Sequence, residues 1–148
     1  MNRCAPVPPA PPPRSYRLTT PNAPGSAAVA RRVVGALLHG AALDPLRDDA
    51  VLCTDELVGN ACRYTRTPRI RVAVTFGRDG LRVHVHDDAP LRPPVLRAAG
   101  PLETGGRGLA LVEALSDEWG WAVHGTPGRP RSKSVWFGFD LRGRGIVP

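Results

Sequence analysis

Two consecutive segments, residues 69–76 and 81–87, alternate between apolar and polar side chains. Alternation with a period of two predicts β-strands that are apolar on one face only. The four residues between them read GRDG, which is typical of a hairpin turn. A two-stranded hairpin is at best marginally stable in water. Other parts of the chain must therefore cover its apolar face.

Amphipathic helices on the N-terminal side of the hairpin are the predicted cover, because apolar residues recur there with helical spacing. The predicted inward residues of a first helix, which ends at Gly40, are Val29, Val33, Leu37 and Leu38. Those of a second helix, which begins at Pro45 and ends before Pro68, are Leu52, Cys53, Leu57 and Ala61.

The remaining segments complete two layers. A strand is predicted at residues 15–19, a third helix carries Leu109, Val112 and Leu115 inward, and two last strands at 119–124 and 133–140 are linked by a loop at 125–132. The expected fold is an α/β (α+β) two-layer sandwich with a mixed, largely antiparallel sheet and helices on one face.

One domain is expected in this chain of 148 residues. Residues 5–13 are nearly all Pro and Ala, which predicts a disordered or polyproline-like arm. We therefore expect an arm at 1–14, a folded domain at 15–142 and a tail at 143–148. No apolar stretch approaches the ~20 residues of a membrane span, and the N-terminus lacks the apolar core of a signal peptide. A cytoplasmic protein without membrane contact is expected.

The net charge of +7 makes nucleic acid a rival partner. However, the arginines are dispersed, aromatic residues make up only 5% of the chain, and no nucleic-acid-binding signature is present, so direct nucleic acid contact is not expected. Three cysteines without a C-x-x-C pair argue against redox or zinc chemistry. His84 and His86 share a strand face, but with no third ligand nearby they predict a solvent-facing row.

Glu56 and Asn60 are the first candidates for chemistry. They are four residues apart on the second helix, which places both on one face. A carboxylate there can take a proton, and an amide oxygen can ligate a hard cation such as Mg²⁺. Alone, the pair favours a solvated polar stripe on an amphipathic helix.

Two later segments favour a functional site. Asp87 ends an otherwise apolar strand face, and a buried carboxylate needs a hydrogen-bond donor, such as the exocyclic amine of an adenine. Residues 104–112 read TGGRGLALV, a glycine cluster that runs into a helix. Free backbone N–H groups at such a junction attract phosphate, and glycine allows close approach.

In this order, the Glu-x-x-x-Asn helix, the strand ending in Asp and the Gly-x-Gly helix start resemble the N, G1 and G2 boxes of the GHKL ATPase/kinase superfamily. The nearest branch is the RsbW-type anti-sigma-factor serine kinases. Further segments that match this branch are ARRVV at 30–34, SDEWGW at 116–121 and KSVWF at 133–137. The resemblance covers residues 15–141 and implies the GHKL, or Bergerat, fold.

The resemblance also implies a role for each matching residue. Glu56 is the base that accepts the proton of a serine hydroxyl, and Asn60 ligates Mg²⁺ bridging the phosphates of ATP. Asp87 reads the adenine amine, and the family pattern favours a phosphate-side role for Lys133. The other implied nucleotide contacts are Ala89, which stands where the family often has glycine, and Gly106, Arg107, Gly108 and Leu109 of the glycine cluster.

The function implied is that of an ATP-binding anti-sigma factor with serine/threonine kinase activity toward an anti-anti-sigma partner. The alternative is a non-catalytic module that sequesters a sigma factor or another regulator and uses ATP only to shape its surface. Residues 91–103 match the position of the family's ATP lid, and a homodimer is left open. P-loop enzymes and ordinary protein kinases are excluded, because their sequence motifs are absent.

Overall fold

A computed structural model describes residues 12–94 and 108–146. The elements, in chain order, are β1 (Arg14–Pro21), α1 (Ser26–Gly40), α2 (Asp44–Tyr64), β2 (Arg69–Phe76), β3 (Gly80–Asp87), α3 (Gly108–Leu115), β4 (Glu118–Thr126) and β5 (Arg129–Asp140). The strands form one sheet in the order β1-β2-β3-β5-β4, with each neighbouring pair antiparallel. The predicted α+β two-layer sandwich is confirmed, and the sheet is antiparallel throughout these residues.

The predicted β2–β3 hairpin is present and lies in the inner part of the sheet. The amide of Gly77 donates to the carbonyl of Gly80 over 2.8 Å and closes the turn. The apolar faces of both strands are buried under α2, and their buried residues are Ile70, Val72, Val74, Leu81, Val83 and Val85. Burial of these side chains is the main favourable contribution to folding here.

Most of the predicted inward stripe of α2 is buried, with Cys53, Leu57 and Ala61 in the core, whereas α1 buries a partly different stripe from the predicted one. Val29 on α1 is 48% exposed and Leu52 on α2 is 47% exposed, so both predicted inward positions were wrong. The buried apolar side chains of α1 are Ala30, Val34 and Leu38, of which Leu38 was predicted, and they follow an i, i+4, i+8 row. This row faces α2, and the small Ala30 side chain allows the two helices to approach closely.

The predicted loop at residues 125–132 was also wrong, because β4 and β5 continue to a tight turn at residues 127–128. Thr126 pairs with Arg129, and a register shift follows His124. Gly125 and Gly128 have positive φ values of 139° and 77°, which favour glycine. Glycines that break a strand pattern in sequence therefore permit a bulge and a turn in the structure.

Two hydrogen bonds join the end of α2 to the exit of β3. Thr67 Oγ1 donates to Asp88 Oδ2 over 2.9 Å, and Arg92 Nη1 donates to the Tyr64 carbonyl over 3.1 Å. These contacts place the C-terminal part of α2 and the residues after β3 at the same end of the molecule. Among the described residues, no helix is long and apolar enough to cross a membrane.

Candidate nucleotide-binding site

Glu56 and Asn60 lie one turn apart on α2, and both side chains are half-buried. Gly108, the first residue of α3, lies against them. A Cβ atom at Gly108 would be 2.8 Å from Glu56 Oε2 and 3.0 Å from Asn60 Nδ2. Any larger residue would displace these polar groups. The structure therefore brings together the predicted base, the predicted metal ligand and one predicted phosphate-contacting glycine.

The environment of Glu56 favours proton uptake. Burial raises the pKa of the Glu56 carboxyl, the nearby Asp55 carboxylate raises it further, and Arg63 opposes the rise. Asp55 accepts a hydrogen bond of 3.0 Å from Arg31 Nη1 on α1. A carboxylate whose pKa is raised toward the working pH is a better proton acceptor than an ordinary exposed glutamate.

Asp87 lies at the end of β3 and is only 3% exposed, so its carboxylate must be paired. Lys133 Nζ donates to both carboxylate oxygens over 2.8 Å, and the Ala89 amide donates to Oδ1, also over 2.8 Å. The donors required by this buried carboxylate are therefore present within the chain. Contact between Asp87 and an adenine amine stays a prediction.

Lys133 contacts Asp87, and the sequence around Lys133 does not predict this contact. It lies opposite Asp87 in the register of β3 and β5, and its third hydrogen bond, of 3.1 Å, goes to the Ala89 carbonyl. The resemblance favours a phosphate-side role for this residue. Its ammonium group lies on the carboxylate predicted to read the base, and the phosphate-side role stays a prediction.

Thr67 is a buried residue of this region that sequence analysis missed. Its hydroxyl oxygen accepts from the Asp88 amide over 3.2 Å and lies 2.9 Å from Asp88 Oδ2, to which it donates. Arg71 Nη2 lies 3.5 Å from the other oxygen of Asp88. These contacts hold the turn that follows Asp87. A threonine before a proline, as here, carries no sequence signal for such a role.

The glycine cluster is described only from Gly108 onward. Gly106 and Arg107, both predicted nucleotide contacts, lie outside the described residues, as does most of the predicted lid at 91–103. Leu109 is 2% exposed and its side chain packs in the core. A nucleotide contact by Leu109 would therefore use its backbone amide, which belongs to the first turn of α3.

The histidine pair on β3 has a third histidine nearby, contrary to the sequence analysis. The rings of His86 and His124 have centroids 5.5 Å apart, and those of His84 and His86 are 6.1 Å apart. His124 also lies 2.8 Å from the hydroxyl of Ser134. Nevertheless, within residues 12–94 and 108–146 no group of three His, Cys, Asp or Glu side chains is arranged to hold a metal ion.

Comparison with known proteins agrees with the order of the motifs. The family model of the histidine kinase-like ATPase domain matches residues 20–135, which include α1, α2, the β2–β3 hairpin and α3. A search of curated proteins returns no match. The matched segment contains Glu56, Asn60, Asp87, Gly108 and Lys133 and supports the GHKL superfamily. The match covers well over half of the chain, and the chain therefore belongs to the histidine kinase-like ATPase domain family.

Proposed function

We propose that this protein is an ATP-binding regulator of the RsbW type, an anti-sigma factor that transfers phosphate from ATP to a serine or threonine of an anti-anti-sigma partner. The observation that carries the proposal is the contact of Gly108 with Glu56 and Asn60, because it joins the N and G2 boxes at one place. Family membership supports ATP as the nucleotide. A cytoplasmic location is part of the same proposal.

The residues around Asn60 fit a magnesium ion that is held mostly by the nucleotide. Asn60 supplies an amide oxygen, which is a suitable ligand for Mg²⁺. No cluster of three potential protein ligands exists in the described parts of the chain, and Mg²⁺ commonly takes its other ligands from phosphates and water. When bound, the ion would neutralise phosphate charge. Gly108 brings no side chain against the Asn60 amide.

Glu56 is proposed to act on the acceptor hydroxyl. As the acceptor oxygen forms its bond to the γ-phosphorus, the bond from that phosphorus to the β,γ-bridging oxygen breaks and ADP leaves. The hydroxyl proton passes to a Glu56 carboxylate oxygen. The raised pKa of Glu56 suits this acceptance, because a stronger base takes the proton more readily.

A second function, sequestration without catalysis, is favoured by one observation. Lys133 already pairs with Asp87, the carboxylate predicted to read the base. A nucleotide that must share this carboxylate with a protein ammonium group can bind and shape the surface without being held for transfer. In that reading the chain would bind a sigma factor or another regulator directly.

Transfer to a partner distinguishes the two functions. The chain would be incubated with γ-labelled ATP, Mg²⁺ and candidate anti-anti-sigma proteins, and the label would be located by mass spectrometry. Label on a partner serine or threonine in the parent, and its loss in Glu56→Gln, supports the kinase. Binding of ATP and of a sigma factor with no label on any partner supports sequestration. An unchanged melting temperature at millimolar ATP and Mg²⁺ would contradict the assignment of a nucleotide site.

A further inference from the structure

The ion pair of Asp87 and Lys133 is the most enclosed pair of charges among the described residues. The two side chains are 3% and 5% exposed, whereas each of the other ion pairs in that part of the chain has side chains at least 31% exposed. Burying two charges is costly, so such a pair is weak evidence for stability alone. Its position at the predicted base contact suggests a role in recognition.

The hydrogen bonds of the pair leave one acceptor position open. Within residues 12–94 and 108–146, Asp87 Oδ1 accepts from Lys133 and from the Ala89 amide, whereas Oδ2 accepts from Lys133 alone. A carboxylate oxygen has room for two donors. Asp87 Oδ2 can therefore accept one further N–H group. On the other side, Lys133 can exchange its 3.1 Å bond to the neutral Ala89 carbonyl for an acceptor on a ligand.

We propose that Lys133 is a base-specificity residue, and that its pairing with Asp87 lets the nucleotide site accept 6-oxopurines such as guanine as well as adenine. This inference rests on the proposed nucleotide site. The acceptor is Asp87 Oδ2 and the adjacent donor is the Lys133 ammonium group. The ligand class is a purine nucleoside triphosphate with neighbouring donor and acceptor groups on its base edge.

The argument is one of hydrogen-bond complementarity. A carboxylate alone accepts from the adenine amine but repels the O6 oxygen of guanine, because both are acceptors. A carboxylate next to an ammonium group complements both bases. With adenine, the amine donates to Asp87 and N1 accepts from Lys133. In guanine the donor and acceptor are exchanged, so the base binds shifted by one position along its edge, with N1–H donating to Asp87 and O6 accepting from Lys133. Lys133 thus removes the repulsion that would exclude guanine.

Because the pair is enclosed, Lys133 should have a large effect on which bases the site accepts. Hydrogen bonds that are shielded from water are electrostatically stronger, and a buried polar group left unpaired is costly. A site built to hydrogen-bond one group can reject an analogue without it by as much as ~10⁴-fold. Replacement of Lys133 by an apolar residue should therefore change the base preference far more than the same replacement of an exposed charged residue.

Affinity for ATP, GTP and ITP with Mg²⁺, measured by calorimetry, tests the proposal. The parent should bind the three nucleotides within about tenfold of one another, whereas Lys133→Met should lose at least ~10-fold more affinity for GTP and ITP than for ATP. Lys133→Arg should restore GTP binding. The matched control is Arg131→Met, which removes an exposed positive charge two residues away on the same strand and should leave the preference unchanged.

A second measurement keeps the test valid if Lys133→Met does not fold. Lys133 is the only lysine of the chain, so ¹⁵N-lysine labelling gives one side-chain ammonium signal in the parent. Both ATP and GTP should shift it. Tight ATP binding with GTP bound more than ~100-fold more weakly would overturn the inference and leave the proposed function intact. Binding of none of the three nucleotides would overturn both.

Discussion

Gly108 lies so close to Glu56 that a Cβ atom on the glycine would be 2.8 Å from the carboxylate oxygen Oε2. The two residues are far apart in sequence and belong to α3 and α2, which pack against each other. The absence of a side chain at position 108 therefore determines how closely the start of α3 approaches the helix that carries the predicted base and the predicted metal ligand.

Gly108→Ala should weaken binding of Mg²⁺-ATP roughly tenfold, or about 1.4 kcal/mol. The added methyl group displaces the side chains of Glu56 and Asn60, and the gain in helix propensity is below the interior value of about 1 kcal/mol because Gly108 is the first residue of α3. Calorimetry with nucleotide and thermal unfolding measure the two effects. The control is Gly59→Ala on α2, where a methyl group meets nothing within 4 Å. Equal affinities in the two variants would contradict the assigned site.

Glu56→Gln should lower the rate of phosphoryl transfer by roughly 10²- to 10⁴-fold while leaving nucleotide affinity nearly unchanged. The amide has the same shape but does not accept the hydroxyl proton. Burial and Asp55 raise the pKa of Glu56. As the pH is lowered, the parent rate should therefore begin to fall at a higher pH than it would with an ordinary glutamate as the base. Initial rates with labelled ATP measure this dependence.

The matched control for this substitution is Glu113→Gln, which makes the same change at an exposed position of α3. Its transfer rate should equal that of the parent. An unchanged rate in Glu56→Gln would show that the hydroxyl proton goes to another acceptor.

Asn60→Ala should abolish the effect of Mg²⁺ on ATP affinity. The parent should bind ATP at least about tenfold more tightly with Mg²⁺ than with a chelator, and this ratio should approach one in the variant because the amide oxygen is lost. Asn22→Ala makes the same substitution at a residue that bonds the Thr65 carbonyl, and it should keep the parent ratio. A metal effect that survives in Asn60→Ala would assign the ion to other ligands.

The sequence predicts the strands best where the pattern is local. Alternation alone locates β2 and β3, because a period of two has one structural explanation when a turn signal follows. The buried face of α1 was predicted less well than the strands. Val29 and Ala30 belong to adjoining stripes, and only the packing against α2 decides which is buried.

The site predictions missed contacts between residues that are far apart in sequence. The spacing of Glu56 and Asn60 follows from one helix, but the pairing of Asp87 with Lys133 joins residues 46 positions apart through the register of β3 and β5. A single sequence does not give that register. The contact of His86 with His124 was missed for the same reason, since β5 lies between their strands.

His86 makes the stability of the fold depend on pH. Burial lowers the pKa of His86 to about 4, and the positive charges of His124, His84, Arg71 and Arg17 contribute to that fall. The unfolded chain has a histidine of ordinary pKa, near 6.5. Between pH 6.5 and about 4 the unfolded state therefore binds more protons than the folded state, and the free energy of unfolding falls as the pH is lowered through this window.

His86→Gln should remove much of that dependence, because glutamine does not titrate. Melting temperatures measured between pH 7 and 5 should fall in the parent, and the slope should be about half as steep in the variant. His124→Gln should reduce the slope by less, since its charge is a smaller cause of the lowered pKa than burial. The range stops at pH 5 so that carboxyl groups contribute little. A parent slope that is unchanged in His86→Gln would mean that this imidazole ionises in the folded protein as it does in the unfolded chain.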